Sequence, residues 1–303
     1  VQYNIKQLLA DIQNGNFLML AKGITLLENE LEGYEELLLL LHNKHKPTVV
    51  GITGPPGAGK STIVNALLKH WLALNKKIAV LAIDPSSPFN YGALLGDRIR
   101  MNEFYTHPHV FIRSLATRGA LGGLNAKIIE ISDLVKNAPF DYIIIETVGV
   151  GQSEVEISGL ADCTVVALVP EAGDEIQTLK AGIMEIADIF VVNKADRDAA
   201  ESLYRNLRLL IHEKIDITHE TAVIKTIASQ QNGIDELALA IEDFLRLHSE
   251  FSAKRIHLLA QKCWQLIVNG KMNTIDMQKI EADLKILLHE KDFNMYAYAR
   301  KFI

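Results

Sequence analysis

Apolar residues recur at helical spacing from the start of the chain, at Ile5, Leu8, Leu9 and Ile12 and again at Ile24, Leu27 and Leu31, before the Leu37 to Leu41 run. That period predicts two or three amphipathic helices, punctuated by Gly15 and Gly33, with His42 to Pro47 leading into a strand. From Thr48 the pattern changes. Short apolar runs at Thr48 to Thr53, Ile78 to Ile83, Val110 to Arg113, Tyr142 to Ile145, Cys163 to Val169, Ile189 to Val192 and Ala222 to Thr226 alternate with helical stretches as far as Leu247. Such alternation predicts an α/β fold, a mostly parallel sheet with helices on both faces. Helical spacing returns at Ile256, Leu259, Cys263 and Ile267, and at Ile280, Leu284 and Leu287. The expected organisation is an N-terminal helical segment (1–46), an α/β domain (47–247) and a C-terminal helical arm (248–303). The N-terminal helices are expected to pack on the main domain, the alternative being an independent partner-binding module.

The first strand-to-helix junction carries chemistry. Gly54, Pro55, Pro56, Gly57, Ala58, Gly59, Lys60, Ser61 and Thr62 spell G-x-x-x-x-G-K-[ST] between the first strand and a helix expected from Thr62. Glycines let successive backbone N–H groups turn inward around phosphate oxygens, and the following helix adds its positive end. Lys60 should reach the β and γ phosphates, Ser61 should place its hydroxyl on Mg²⁺, and Thr62 is the helix-side neighbour. The plainer alternative is a Gly/Pro turn that merely joins strand to helix.

A second signature follows the strand Ile189 to Val192. Asn193-Lys194-Ala195-Asp196 matches the guanine-reading N-K-x-D of GTPases. A carboxylate at Asp196 accepts both guanine N1–H and N2–H, whereas adenine leaves it unpaired, so polar complementarity favours GTP. Out of context, the same four residues would read as a helix cap. Ala228, in Thr226-Ile227-Ala228, stands where GTPases place a Ser-Ala element whose backbone contacts guanine O6; Ile227 departs from that pattern.

Between these ends, the apolar strand Ile143 to Ile145 delivers Glu146 and then Gly149. The acid could hold Mg²⁺ through water and the Gly149 N–H could sense the γ-phosphate, as a switch II segment does. Gln152 is the candidate for positioning the attacking water, or else a hydrogen-bonding loop residue. By the rule that ligands of such sheets sit beyond the strand carboxyl ends, the phosphate loop, Asp84, Glu146, Glu171 and Asn193 fall along one edge.

Composition narrows the partners. A formal charge of −6 argues against general nucleic-acid affinity. The two cysteines, Cys163 and Cys263, form no disulfide framework and no metal pair, which suits a cytoplasmic location or an organelle matrix. The sequence offers no stretch of about 18 apolar residues for a membrane.

Taken together, Gly54 to Thr62, Asp84 to Pro88, Gly96 to Met101, Ile112 to Ser114, Arg118-Gly119, Glu146 to Glu154 and Asn193 to Asp196 resemble the MeaB/ArgK family. These are the MMAA-type GTPase chaperones of cobalamin-dependent acyl-CoA mutases, and the resemblance covers nearly the whole chain. It implies a P-loop GTPase of the signal-recognition and metal-insertase class that uses GTP/GDP and Mg²⁺ and forms a homodimer through its C-terminal helices. It further implies that the protein protects a methylmalonyl-CoA mutase or a close relative and gates cofactor delivery from an adenosyltransferase.

By the same resemblance, Ser61, Asp84, Asp97 and Glu146 surround the metal. Glu171 to Lys180 forms a third switch, with Lys180 reaching the active site. Residue readings that stay open beside this are Asp84 as a turn cap before Pro85, Asp97 paired with Arg98 or Arg100, and Arg113 or Arg118 as an arginine finger or a structural ion pair. Asn90-Tyr91 departs from the Thr-Gly usual in the family. Two other classes on related folds are a metabolite or protein kinase and a nickel-insertion metallochaperone. No Cys-x-x-Cys element or His-rich tract supports the latter.

Overall fold

The seven apolar runs form seven strands, and all of them pair in parallel in the order β3-β2-β4-β1-β5-β6-β7. The strands are β1 (Thr48–Thr53), β2 (Ile78–Asp84), β3 (Val110–Ala116), β4 (Tyr142–Glu146), β5 (Cys163–Leu168), β6 (Ile189–Asn193) and β7 (Ala222–Thr226). This computed structural model describes residues 4–42, 46–84, 101–117, 124–148, 155–170, 184–213, 221–248, 253–272, 283 and 286. A parallel sheet needs cover on both faces, which is why its inner strands read as unbroken apolar runs rather than as alternation. β2, β4, β5 and β6 are buried at every position.

Three strands extend one residue past the apolar run, to Asp84, Glu146 and Asn193. The backbone ladder continues where the side chain turns polar, so hydropathy alone ends each strand early. The consequence is functional: each strand delivers its polar residue directly at the carboxyl edge.

Helices α4 (Lys60–Ala73) and α8 (Ile234–Leu247) cover one face, where Val50, Ile52 and Ile144 pack with Ile63, Leu67, Leu237 and Ile241. Trp71 stacks on Tyr142 there, with ring centroids 4.1 Å apart. The other face of β1 meets α6 (Val155–Leu160): a Cβ on Gly51 would lie 2.6 Å from Ile157 and 3.1 Å from Ala161. Only glycine allows that approach.

The N-terminal residues form α1 (Ile5–Gln13), α2 (Phe17–Glu28) and α3 (Tyr34–Leu40), the first two capped by Asn4 and Asn16 side chains. They pack on the main body. Gly23 of α2 faces Leu134 of α5 (Ile128–Val135), and the Phe17 ring lies 5.7 Å from Phe111 and 5.6 Å from Phe140. Arg113 on β3 donates from Nη2 to Glu28 Oε2 at 2.8 Å and to Thr25 Oγ1 at 3.1 Å. Of the two roles open to Arg113, this is the structural ion pair.

Helix α7 (Ala200–Glu213) leads towards β7 at the end of the sheet. Residues 1–255 form one compact unit and 256–303 a second, so the expected segments 1–46 and 47–247 share one unit. Helix α9 (Ala253–Met272) carries the predicted C-terminal helical spacing. Among the described residues, no helix is long and apolar enough to cross a membrane. Burial pushes the Cys163 thiol well above its usual pKa, with Asp188 and Asp162 adding to the effect, so this cysteine is an inert core residue.

Candidate functional site

The site is built at the carboxyl ends of β1, β2, β4 and β6. Beyond β1, the chain makes a loop that requires glycine at two points. Gly54 has φ 138°, and a Cβ there would sit 2.1 Å from the Ala167 carbonyl oxygen; Gly59 has φ 82°, and a Cβ there would sit 2.4 Å from Asn193 Nδ2. The loop is therefore pressed against β5 on one side and the end of β6 on the other.

Helix α4 opens at Lys60, two residues before the position expected from hydropathy. Gly59 in the left-handed region serves as its N-cap, and Ile63 N–H donates to the Gly59 carbonyl at 3.0 Å. Lys60 and Ser61 thus stand on the first turn. The Lys60 ammonium bridges its own loop, donating to the Gly54 carbonyl at 2.8 Å and the Pro55 carbonyl at 3.1 Å. Held across the loop mouth, it presents a positive charge where phosphate oxygens would enter.

Ser61 Oγ donates to Glu146 Oε1 at 2.7 Å, and both residues are buried. Two sequence motifs 85 residues apart therefore meet in one hydrogen bond. Asp84 is also buried at the carboxyl end of β2, where its backbone carbonyl accepts from Thr117 N–H at 3.1 Å. Oxygen donors of this kind suit a hard divalent cation such as Mg²⁺, and the glycine-permitted loop suits phosphate. The residues present fit both groups.

At the carboxyl end of β6, Asn193 organises the floor of the site. Its Nδ2 donates to the Ala58 carbonyl at 2.9 Å, while its Oδ1 accepts from Thr226 Oγ1 at 3.1 Å and from Ala228 N–H at 3.3 Å. One buried carboxamide ties the phosphate loop to the ends of β6 and β7. Lys194, at φ 56°, donates from Nζ to the Gly57 carbonyl at 2.9 Å, and Ala195 N–H donates to the Thr226 carbonyl at 3.0 Å. Asp196 is exposed.

The structure thus brings Gly54 to Thr62, Asp84, Glu146, Asn193, Lys194, Asp196 and Ala228 to one sheet edge. Asp97, Gly149, Gln152 and Lys180 lie outside the described residues, as do Arg118, Asn90-Tyr91 and Glu171 to Lys180. Sequence reasoning assigned no role to two contacts. Thr53 Oγ1 and Thr147 Oγ1 are 2.8 Å apart in the core, and Asn125 Nδ2 donates to the Ala116 carbonyl at 2.5 Å. A threonine directly before the phosphate-loop glycine and another directly after Glu146 were the available signals.

Comparison with known proteins adds to this geometry. The family model described as methylmalonyl-CoA mutase-associated GTPase MeaB matches residues 20–279. A protein of Pyrococcus abyssi named as a putative GTPase is 42% identical over 289 residues, spanning 93% of this chain and 88% of its own. The GTPase ArgK of Escherichia coli is 36% identical over 244 residues, spanning 77% and 73%. The mitochondrial methylmalonic aciduria type A homolog of Mus musculus is 33% identical over 287 residues, spanning 87% and 69%. Among solved structures, a LAO/AO transport system kinase superposes with a TM-score of 0.71 at 24% identity, covering 100% of this chain and 98% of its own, a likeness of fold.

Proposed function

The chain belongs to the MeaB family of methylmalonyl-CoA mutase-associated GTPases, and we propose that it is a Mg²⁺-dependent switch that protects a cobalamin-dependent acyl-CoA mutase and gates its cofactor loading. That it is a GTPase follows from its relatives and its fold. The observation that carries the switch reading is the Ser61–Glu146 hydrogen bond. It links the first turn of the phosphate-loop helix to the strand end from which the chain runs on towards Gly149.

In this reading, the loop N–H groups and Lys60 bind the β and γ phosphates, and Asp196 with the backbone near Ala228 reads guanine. Ser61, Glu146 and Asp84, together with Asp97, hold the metal. Bound Mg²⁺ would neutralise charge on the phosphate oxygens and align them for water attack. Gln152 orients that water, and Gly149 N–H meets the γ-phosphate. Hydrolysis breaks the bond from the γ-phosphorus to the β–γ bridging oxygen and yields GDP and free phosphate, which removes the group that Gly149 senses. The protein contributes position and electrostatics rather than a covalent step.

The segment Glu171 to Lys180 is assigned as the partner-responsive switch, with Lys180 completing the site when the mutase holds it. A homodimer through the C-terminal helices, an adenosyltransferase as cofactor donor and a reducing compartment complete the proposal. A partner that stabilises one arrangement of such a switch couples to hydrolysis by about 1–3 kcal/mol.

The test is phosphate release with and without an acyl-CoA mutase from the same host, for wild type and Lys180→Ala. Stimulation by the mutase in wild type, and its loss in the variant with basal turnover kept, supports the reading. No complex and no stimulation would reduce it to a GTPase with another client. Transfer of the γ-phosphoryl group to an acceptor instead of water would make it a kinase.

A further inference from the structure

We infer that the buried hydroxyl pair of Thr53 and Thr147 is a positioning device for the GTPase reaction, fixing the strand end that presents Glu146 and launches the segment leading to Gly149. The inference rests on the role proposed above for that segment. Thr53 is the last residue of β1 and immediately precedes Gly54, the first residue of the phosphate loop. Thr147 immediately follows Glu146 at the end of β4. Their Oγ1 atoms are 2.8 Å apart, and the residues are 0% and 2% exposed.

Strand geometry gives this contact its meaning. Successive side chains point to opposite faces of a sheet. On β1, Val50 and Ile52 pack with α4, whereas Gly51 faces Ile157 and Ala161 on the α6 side. On β4, Tyr142 and Ile144 belong to the α4 side. Alternation then sets Glu146 on the α4 face, where Ser61 meets it, and sets Thr53 and Thr147 together on the α6 face. The end of β4 is held from both sides, by Ser61 on one and by Thr53 on the other. A backbone bond adds a third tie, from Thr147 N–H to the Ile52 carbonyl at 3.1 Å.

Neither hydroxyl has a core-packing reason to be there. Valine has nearly the same shape and would suit an apolar, fully buried strand end at no desolvation cost. What threonine adds at each position is directional: one hydrogen bond that fixes the phosphate loop's root to the switch segment's root.

A double-substitution experiment separates positioning from stability. Thr53→Val or Thr147→Val alone leaves one buried hydroxyl without its partner, so both variants should lose thermal stability. Thr53→Val/Thr147→Val removes both hydroxyls and should regain most of that stability. If the pair positions Glu146, the double variant still turns over GTP about tenfold more slowly, the rate equivalent of one ordinary hydrogen bond. The GTP KM should move less than kcat, and half-saturation by Mg²⁺ in calorimetric titrations of GDP should rise. Thr147→Ser, which keeps the hydroxyl, should retain kcat.

A double variant that recovers kcat along with its melting temperature would overturn the inference, as would a Thr147→Ser protein as slow as Thr147→Val. Failure of mutase stimulation in every variant would count against the client reading above and not against this pair.

Discussion

Asn193 and Ala58 are joined by a 2.9 Å hydrogen bond that fixes the carboxyl end of β6 to the middle of the phosphate loop. The same side chain accepts from Thr226 and from Ala228, so its carboxamide satisfies three groups on two other segments. Removing it disrupts the site without touching a phosphate contact. Asn193→Ala should lose about 1–3 kcal/mol of stability, because buried donors and an acceptor are left without partners. Nucleotide affinity should fall by more than that structural loss explains. Thermal melts with and without saturating GDP measure both effects, and an unchanged ligand-induced shift would show that the network does not reach the ligand.

Asp196 contrasts with Asn193 because it is exposed. Asp196→Asn should therefore leave stability within about 0.5 kcal/mol, as expected for a surface substitution. It should weaken GTP binding and raise the affinity for xanthosine triphosphate, since an amide donates to xanthine O2 where the carboxylate needed a donor. Competition titration of the two nucleotides decides this. No exchange of preference would remove Asp196 from the base site.

The ion pair between Arg113 and Glu28 gives a prediction of the opposite kind. Glu28 is 7% exposed and Arg113 25%, so truncating the arginine takes the countercharge away from a largely buried carboxylate. Arg113→Ala should cost about 2–4 kcal/mol, somewhat below a fully buried pair, and should loosen α2 from β3. Turnover measured well below the melting transition should stay near that of wild type. A stable variant with collapsed turnover would instead favour an arginine-finger role.

The sheet and both nucleotide motifs were legible because their signals are local. A parallel strand buried on both faces announces itself as an apolar run, and a phosphate loop needs glycines at set intervals. The partnering of Ser61 with Glu146, or of Thr53 with Thr147, is not local. It depends on β1 lying beside β4, a crossover that hydropathy does not specify. The start of α4 was misplaced for a related reason: Gly59 and Lys60 carry no helical periodicity, and the left-handed cap at Gly59 sets the boundary. Arg113 shows the limit most clearly, because the acid that claims it lies on an N-terminal helix 85 residues away.

Tyr142 links packing to alkaline stability. Burial, reinforced by the charge and hydrogen bond of Glu242, pushes its phenol up to about 12 from 10.0. Below pH 10, both folded and unfolded chains keep the proton, so this group leaves stability unchanged. Between pH 10 and 12, only the unfolded chain gains the phenolate, and stability falls by at most about 1.4 kcal/mol per pH unit. Tyr142→Phe should flatten that part of the decline while keeping the ring stacked on Trp71. Melting temperatures from pH 8 to 11.5 test it, and parallel curves for the two proteins would assign the alkaline loss to other groups.

The last prediction concerns α9. Ile256, Leu259, Cys263 and Ile267 recur at steps of three and four, and Ile256, Leu259, Trp264 and Ile267 are 60%, 44%, 68% and 54% exposed. A helix that turns so much apolar surface outward has an interaction site on it or invites aggregation. A second copy of the same helix is the occupant proposed here, because symmetric pairing buries the same face twice with one set of residues. A lasting dimer needs roughly 1,200–2,000 Å² of total buried surface, which such helical arms can supply when paired along their length. Light scattering should then give about twice the 33.7 kDa chain mass. Ile267→Asp would put a charge at the C-terminal end of that face and should yield monomer with GTP binding intact, whereas deleting 251–303 should leave monomer or insoluble protein. A dimer that persists through both changes would move the contact to the sheet-bearing unit and leave α9 for a different partner.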